Sequence, residues 1–193
     1  MLRAFIGAFC ALAVAGVASA QQWAGSDPSR SPRAFGQGDV DFVLSELCFP
    51  FLLQGIDGVA LARARGLETA FGTQDWASGG RAYLVGQADV MVSFDDADDG
   101  RACTFIIRSG NPARYSDAIS ARLATWPSQW TPAPVQVAPG NFSSRTILCG
   151  PEQGPHDIAF VSIGGEQGTP PVLMTLARLA ERNERCAPAP ARR

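Results

Sequence analysis

Residues 88–108 read A-D-V-M-V-S-F-D-D-A-D-D-G-R-A-C-T-F-I-I-R. The pattern has period two on both sides of an acidic centre, and Cys103, Phe105 and Ile107 fall on one face. Alternation of this kind marks two strands, each with a buried and a solvated side. Asp99-Gly100 between them is a hairpin dipeptide, because both residues tolerate the positive φ of a tight turn. The stretch is therefore read as a hairpin with a solvated tip. A helix-loop-helix calcium site wants oxygen ligands at positions 1, 3 and 5, glycine at 6 and glutamate at 12. Counted from Asp95, position 3 is Ala97 and position 12 is Ile106, and the flanks are strands. The secondary reading is an irregular, weak ion site on Asp95, Asp96, Asp98 and Asp99. Acid–base work by paired carboxylates requires burial, and a four-aspartate turn is expected to be exposed.

Working outward, R-A-Y-L-V-G (81–86) reads as a strand before the hairpin. S-S-R-T-I-L-C (143–149) and D-I-A-F-V-S-I (157–163) read as strands after it. Upstream, Val40, Val43, Leu44, Leu47, Cys48, Phe51 and Leu52 recur at helical spacing. Asp39 is the expected N-cap, Pro50 a kink or end, and Gly55 the stop. A short helix is expected near 58–65. Asn111 and Pro112 open another helix, with Tyr115, Ile119, Leu123 and Trp126 on its buried side and Pro127 closing it. Trp130-Thr131-Pro132-Ala133-Pro134 is read as a rigid connector. Thr169 and Pro170 predict a last helix with Val172, Leu173, Leu176, Leu179 and Ala180 as its stripe. A-R-L-A occurs at 121–124 and again at 177–180. The echo is either a duplicated strand-strand-helix unit or a coincidence of common residues. The element order predicts an α+β fold, an antiparallel sheet with helices on one face.

Residues 1–20 carry Arg3, then an apolar run, then Ala18-Ser19-Ala20. That is the form of a secretory signal cleaved near Ala20, and the run is too short for a membrane span. Residues 21–38, rich in Gly, Ser, Pro and Arg, are read as a flexible leader. Residues 39–186 form one α+β domain, and 187–193 a flexible tail. The expected location is the periplasm or outside the cell.

The formal net charge is −2, which argues against nucleic acid as a partner. All sixteen basic residues are arginine, so Schiff-base and phosphate-loop lysines are excluded. Cleavage leaves Cys48, Cys103, Cys149 and Cys186, an even count that predicts two disulfides in an exported chain. Three pairings are open. There is no C-x-x-C and only one histidine, His156, so no structural zinc site is expected.

The helix motif Phe42 to Cys48, Trp76 near the first strand, and G-R-A-C ahead of a β run resemble small uncharacterised secreted proteins of alphaproteobacteria. The resemblance covers about residues 39–126. It implies no activity. It does imply Cys48–Cys103, which leaves Cys149–Cys186. The competing arrangement is Cys48–Cys149 with Cys103–Cys186.

His156 is the one candidate for a neutral-pH base, but no G-x-S-x-G accompanies it, and Ser109, Ser143 and Ser162 carry no nucleophile signature. The glycine-rich segment 164–168 lacks the dinucleotide pattern, since Ile163 stands where the first glycine belongs. Trp126 and Trp130, with the prolines between and after them, offer an aromatic shelf for a sugar or a proline-rich peptide, set against the plainer reading of core edge. Arg178, Arg182 and Arg185 suit the C-terminal end of a helix dipole.

No catalytic residue, metal or cofactor is assigned. The expectation is an exported, non-enzymatic binding or inhibitor-like protein acting on an envelope protein or cell-wall component. The alternatives are a small envelope hydrolase using His156 with an aspartate, and a calcium-stabilised structural protein.

Overall fold

The computed structural model describes residues 37–69, 82–85, 90–165 and 168–187. Residues 1–36, read from the sequence as a signal and most of a leader, lie outside the described residues, as do Trp76 and residues 188–193. Gln37 and Gly38, read as the end of the leader, are already helical.

The central hairpin forms as its alternation requires. Strand β3 (Val90–Ala97) pairs antiparallel with β4 (Gly100–Ile107). The two-residue turn is Asp98-Asp99, one position earlier than expected. Gly100 instead begins β4 with φ 142°, and a Cβ there would lie 2.6 Å from the carbonyl oxygen of Arg178. Glycine is needed for close approach to the neighbouring strand, not for the turn.

The sheet has eight strands in the order β1-β2-β3-β4-β8-β7-β6-β5, with antiparallel neighbours throughout. The others are β1 (Glu68–Thr69), β2 (Ala82–Val85), β5 (Thr131–Pro132), β6 (Phe142–Cys149), β7 (His156–Gly165) and β8 (Val172–Leu179). The last of these overturns the predicted C-terminal helix. V-L-M-T-L-A-R-L satisfies a helical stripe, but it also satisfies a strand buried on both sides, and periodicity cannot separate the two. Here the run fills the sheet centre, with eight residue pairs to β4 and eight to β7. Met174 and Leu176 are fully buried on one face, and Thr175 and Ala177 nearly so on the other. The second A-R-L-A thus ends a strand, and the repeat carries no second helix. The presumed connector Trp130–Pro134 also contributes β5, which pairs with the end of β6.

The first helix runs over residues 37–53 in three parts: α1 (Gln37–Phe42), a π-helical turn (Val43–Cys48) and α2 (Phe49–Leu53). It starts before Asp39, the expected cap. It also continues through Pro50, because the wide turn just before it shifts the Phe49 N–H to the Leu44 carbonyl. The stripe from Val40 to Leu52 is buried as read, none of its seven members more than 3% exposed. Asp57 caps α3 (Gly58–Ala64) by accepting from Ala60 N–H at 2.7 Å. Asn111 caps α4 (Pro112–Leu123) in the same way.

All these helices pack on the sheet face that carries Val92, Phe94, Cys103, Phe105, Ile107, Ala159, Val161, Met174 and Leu176. Arg122 on α4 pairs with Asp41 on α1 at 2.6 Å. On the opposite face a smaller cluster forms around Ile147, Cys149, Ile158, Ala177 and Cys186, covered by Ala133 and Val137. Each cluster holds one disulfide: Cys48–Cys103 ties the first helix to β4, and Cys149–Cys186 ties the C-terminal turn to β6. In the loop-entropy view, closures of 55 and 37 residues stabilise by about 4 kcal/mol each. Among the described residues no helix is long and apolar enough to cross a membrane.

Candidate functional site

The C-terminal end of α4 and the segment after it border an open hollow of about 480 Å³. Its walls are Ser120, Leu123 and Ala124 from the helix end, Trp126 to Trp130 from the turn, and Leu148 from β6. The volume is in the range of small-ligand sites. Trp126 and Trp130, paired on the sequence alone, do meet here, with ring centroids 5.7 Å apart and planes tilted by 45°.

Trp126 is a fixed wall, only 5% exposed. Its indole N–H donates to Asp157 Oδ2 at 2.8 Å. Phe49 meets its ring edge-on at 4.9 Å, and the Arg178 guanidinium lies 5.8 Å from the ring centroid. Asp157 has no exposed side-chain surface, and Arg178 grips it with two bonds, Nε to Oδ1 at 2.8 Å and Nη2 to Oδ2 at 3.1 Å. The two residues are cross-strand partners on β7 and β8. This network was not legible in the sequence. Its signal was an opposite-charge pair in register, and that register exists only once residues 172–179 are a strand.

Trp130 is the open wall. It is half-buried and immediately precedes β5, whose pairing of Pro132 with Leu148 holds it above the β6 floor. Its indole nitrogen is buried and has no hydrogen-bond partner. A buried donor left unpaired is costly; this one is out of reach of solvent, although its residue lines the hollow. The rim carries hydroxyls from Ser120 and Ser128 and the amide of Gln129, and none of the described lining residues is charged.

The other sequence candidates are not brought into one site. His156 begins β7, and its Nδ1 is buried without a partner. Asp157 cannot orient it, because adjacent strand residues face opposite ways and that carboxylate is committed to Arg178 and Trp126. Ser109 gives its carbonyl to the Tyr115 hydroxyl, the Ser143 hydroxyl bonds the Gly164 carbonyl, and Ser162 is 5% exposed. The glycine-rich segment links β7 to antiparallel β8, so no helix N-terminus follows it. Arg178, Arg182 and Arg185 cap no helix dipole. Arg178 lies on β8, while Arg182 donates to the carbonyls of Cys186 and Pro151. Arg185 lies in the short 3-10 turn Glu184–Cys186.

Of the four aspartates, Asp95 and Asp96 lie on β3, and Asp98 and Asp99 form the turn. Asp95 and Asp96 point to opposite faces of β3, and Asp96 bonds Arg101 at 2.5 Å. Burial first, then the charges of Asp99 and Asp96, push the Asp95 carboxyl above its ordinary value. The hydrogen bond from Arg101 holds Asp96 below it. Among the described residues, no group of three or more His, Cys, Asp or Glu is placed to hold a metal ion.

No family model, curated protein or solved structure matches the chain.

Proposed function

We propose that this chain is an exported, non-catalytic binding protein of the bacterial periplasm, and that it holds a ligand from the cell envelope in the Trp126–Trp130 hollow. The observation that carries this reading is the meeting of Trp126 and Trp130 at an open, ligand-sized hollow that Ser120, Ser128 and Gln129 also line. A ligand would gain apolar contact with the half-buried Trp130 ring, and the hydroxyls of Ser120 and Ser128 would meet its polar edge. Export is supported by the signal pattern of residues 1–20 and by two formed disulfides, which persist in oxidising compartments. In the hydrolase alternative, which uses His156 with an aspartate, Asp157 is not a free partner, since Arg178 and Trp126 engage it.

The test follows the tryptophan indole N–H resonances of the ¹⁵N-labelled mature chain, assigned with Trp130→Phe. Envelope fractions are titrated in turn: solubilised wall fragments, released glycans and soluble envelope proteins. At least one fraction is expected to move the Trp130 signal saturably, and His156→Ala is expected to bind as well as wild type. Silence of that signal in every fraction would refute the reading.

A further inference from the structure

The chemistry of the lining goes further than the existence of a site. We infer that the hollow takes a neutral saccharide, an inference that rests on the binding reading above. A sugar ring presents an apolar C–H face on one side and hydroxyls at its edge. The hollow presents the complement. The half-buried Trp130 ring offers an aromatic plate on one wall. Ser120, Ser128 and Gln129 at the rim both give and accept hydrogen bonds. With no charge among the described lining residues, an ionic ligand would find no counter-charge from them.

A proline-rich peptide is the nearest competitor, and the geometry disfavours it. Such peptides dock across grooves with several open aromatic ridges. Here one ring is open and the other closed. Trp126 is 5% exposed and its N–H is already bonded to Asp157. A peptide of that kind also brings almost no donors, so the rim acceptors would go unanswered.

The experiment titrates the mature chain with glucose hexaose, N-acetylglucosamine hexaose and a proline decapeptide, reading the Trp130 indole resonance and tryptophan fluorescence. At least one oligosaccharide is expected to bind saturably, with an affinity independent of salt. Trp130→Ala should weaken that binding about tenfold or more. Trp130→Phe keeps an aromatic plate of smaller area, so a smaller loss than that of Trp130→Ala is expected. Ser120→Gln, on the exposed side of α4, fills the hollow without touching the core and should also weaken binding. Matched melting temperatures show whether each variant is folded. Binding of the decapeptide alone overturns the saccharide assignment and leaves the binding reading standing. No response to any of the three, where an envelope fraction still moves Trp130, also overturns it. Saccharide binding that survives both Trp130→Ala and Ser120→Gln overturns the assignment of the site.

Discussion

Replacing Arg178 with methionine tests the network behind the hollow. The substitution keeps roughly the length and apolar stem of the side chain and removes the guanidinium. Asp157 is then a carboxylate with no exposed surface and a single remaining bond, from Trp126 Nε1 at 2.8 Å. Breaking a buried pair by removing one partner costs about 3–5 kcal/mol, because the surviving charge is left uncompensated. The cation–π contact to Trp126 at 5.8 Å adds no more than about 1 kcal/mol. For a chain of this size the loss corresponds to a fall in Tm on the order of 10 °C. The double variant Asp157→Asn/Arg178→Met removes both charges and keeps an acceptor for the indole. It leaves only imperfectly paired amide donors, at about 1–2 kcal/mol. The double variant should therefore be more stable than Arg178→Met alone. Urea unfolding with the disulfides intact, followed by tryptophan fluorescence, measures both. If the double variant is no more stable than the single one, the stranded charge is not the cause and the electrostatic account of this cluster is wrong.

Further outcomes follow from other parts of the fold. Gly58→Ala places a Cβ 2.3 Å from the Phe94 ring, so overpacking should destabilise by about 1–3 kcal/mol; an unchanged Tm would mean the helix shifts freely. Removing Cys149 and Cys186 together should release the C-terminal turn first, seen as faster hydrogen exchange over residues 180–187 with β4 and β8 still protected. Loss of protection in those two central strands would refute that local picture. Asp95→Asn should stabilise at neutral pH by less than about 1 kcal/mol, given solvent screening. The folded carboxyl titrates above its ordinary value of 3.8, so its charge penalises folding above that range and the penalty lifts as the pH falls through it. The gain should vanish in acid. Asp96→Asn should have the opposite sign, since that carboxyl is held low by Arg101 and its contribution is present above 3.8 and lost below it. Paired urea curves at neutral and acid pH check both.

Some of this protein was decided by local chemistry and was legible residue by residue. The stripe from Val40 to Leu52 needs only helical geometry and a core to face, and every member is buried. The caps at Asn111 and the stop at Gly55 are interactions between near neighbours. The acidic hairpin follows from period two and a turn. The approach of Trp126 and Trp130 follows from their spacing of four around a proline. The cysteine count implied two bridges in an exported chain, and the pairing implied by resemblance is the one formed.

What only the tertiary structure decided has one physical root. A segment buried on both faces has no polar side to mark its period, so residues 172–179 could be read as helix or strand until two neighbouring strands claimed their backbone hydrogen bonds. From that choice follow the central place of β8, the pairing of Arg178 with Asp157, and the anchoring of Trp126 as the closed wall of the hollow. Long-range register, unlike local propensity, is a property of the assembled sheet, and in this chain the candidate site depends on it.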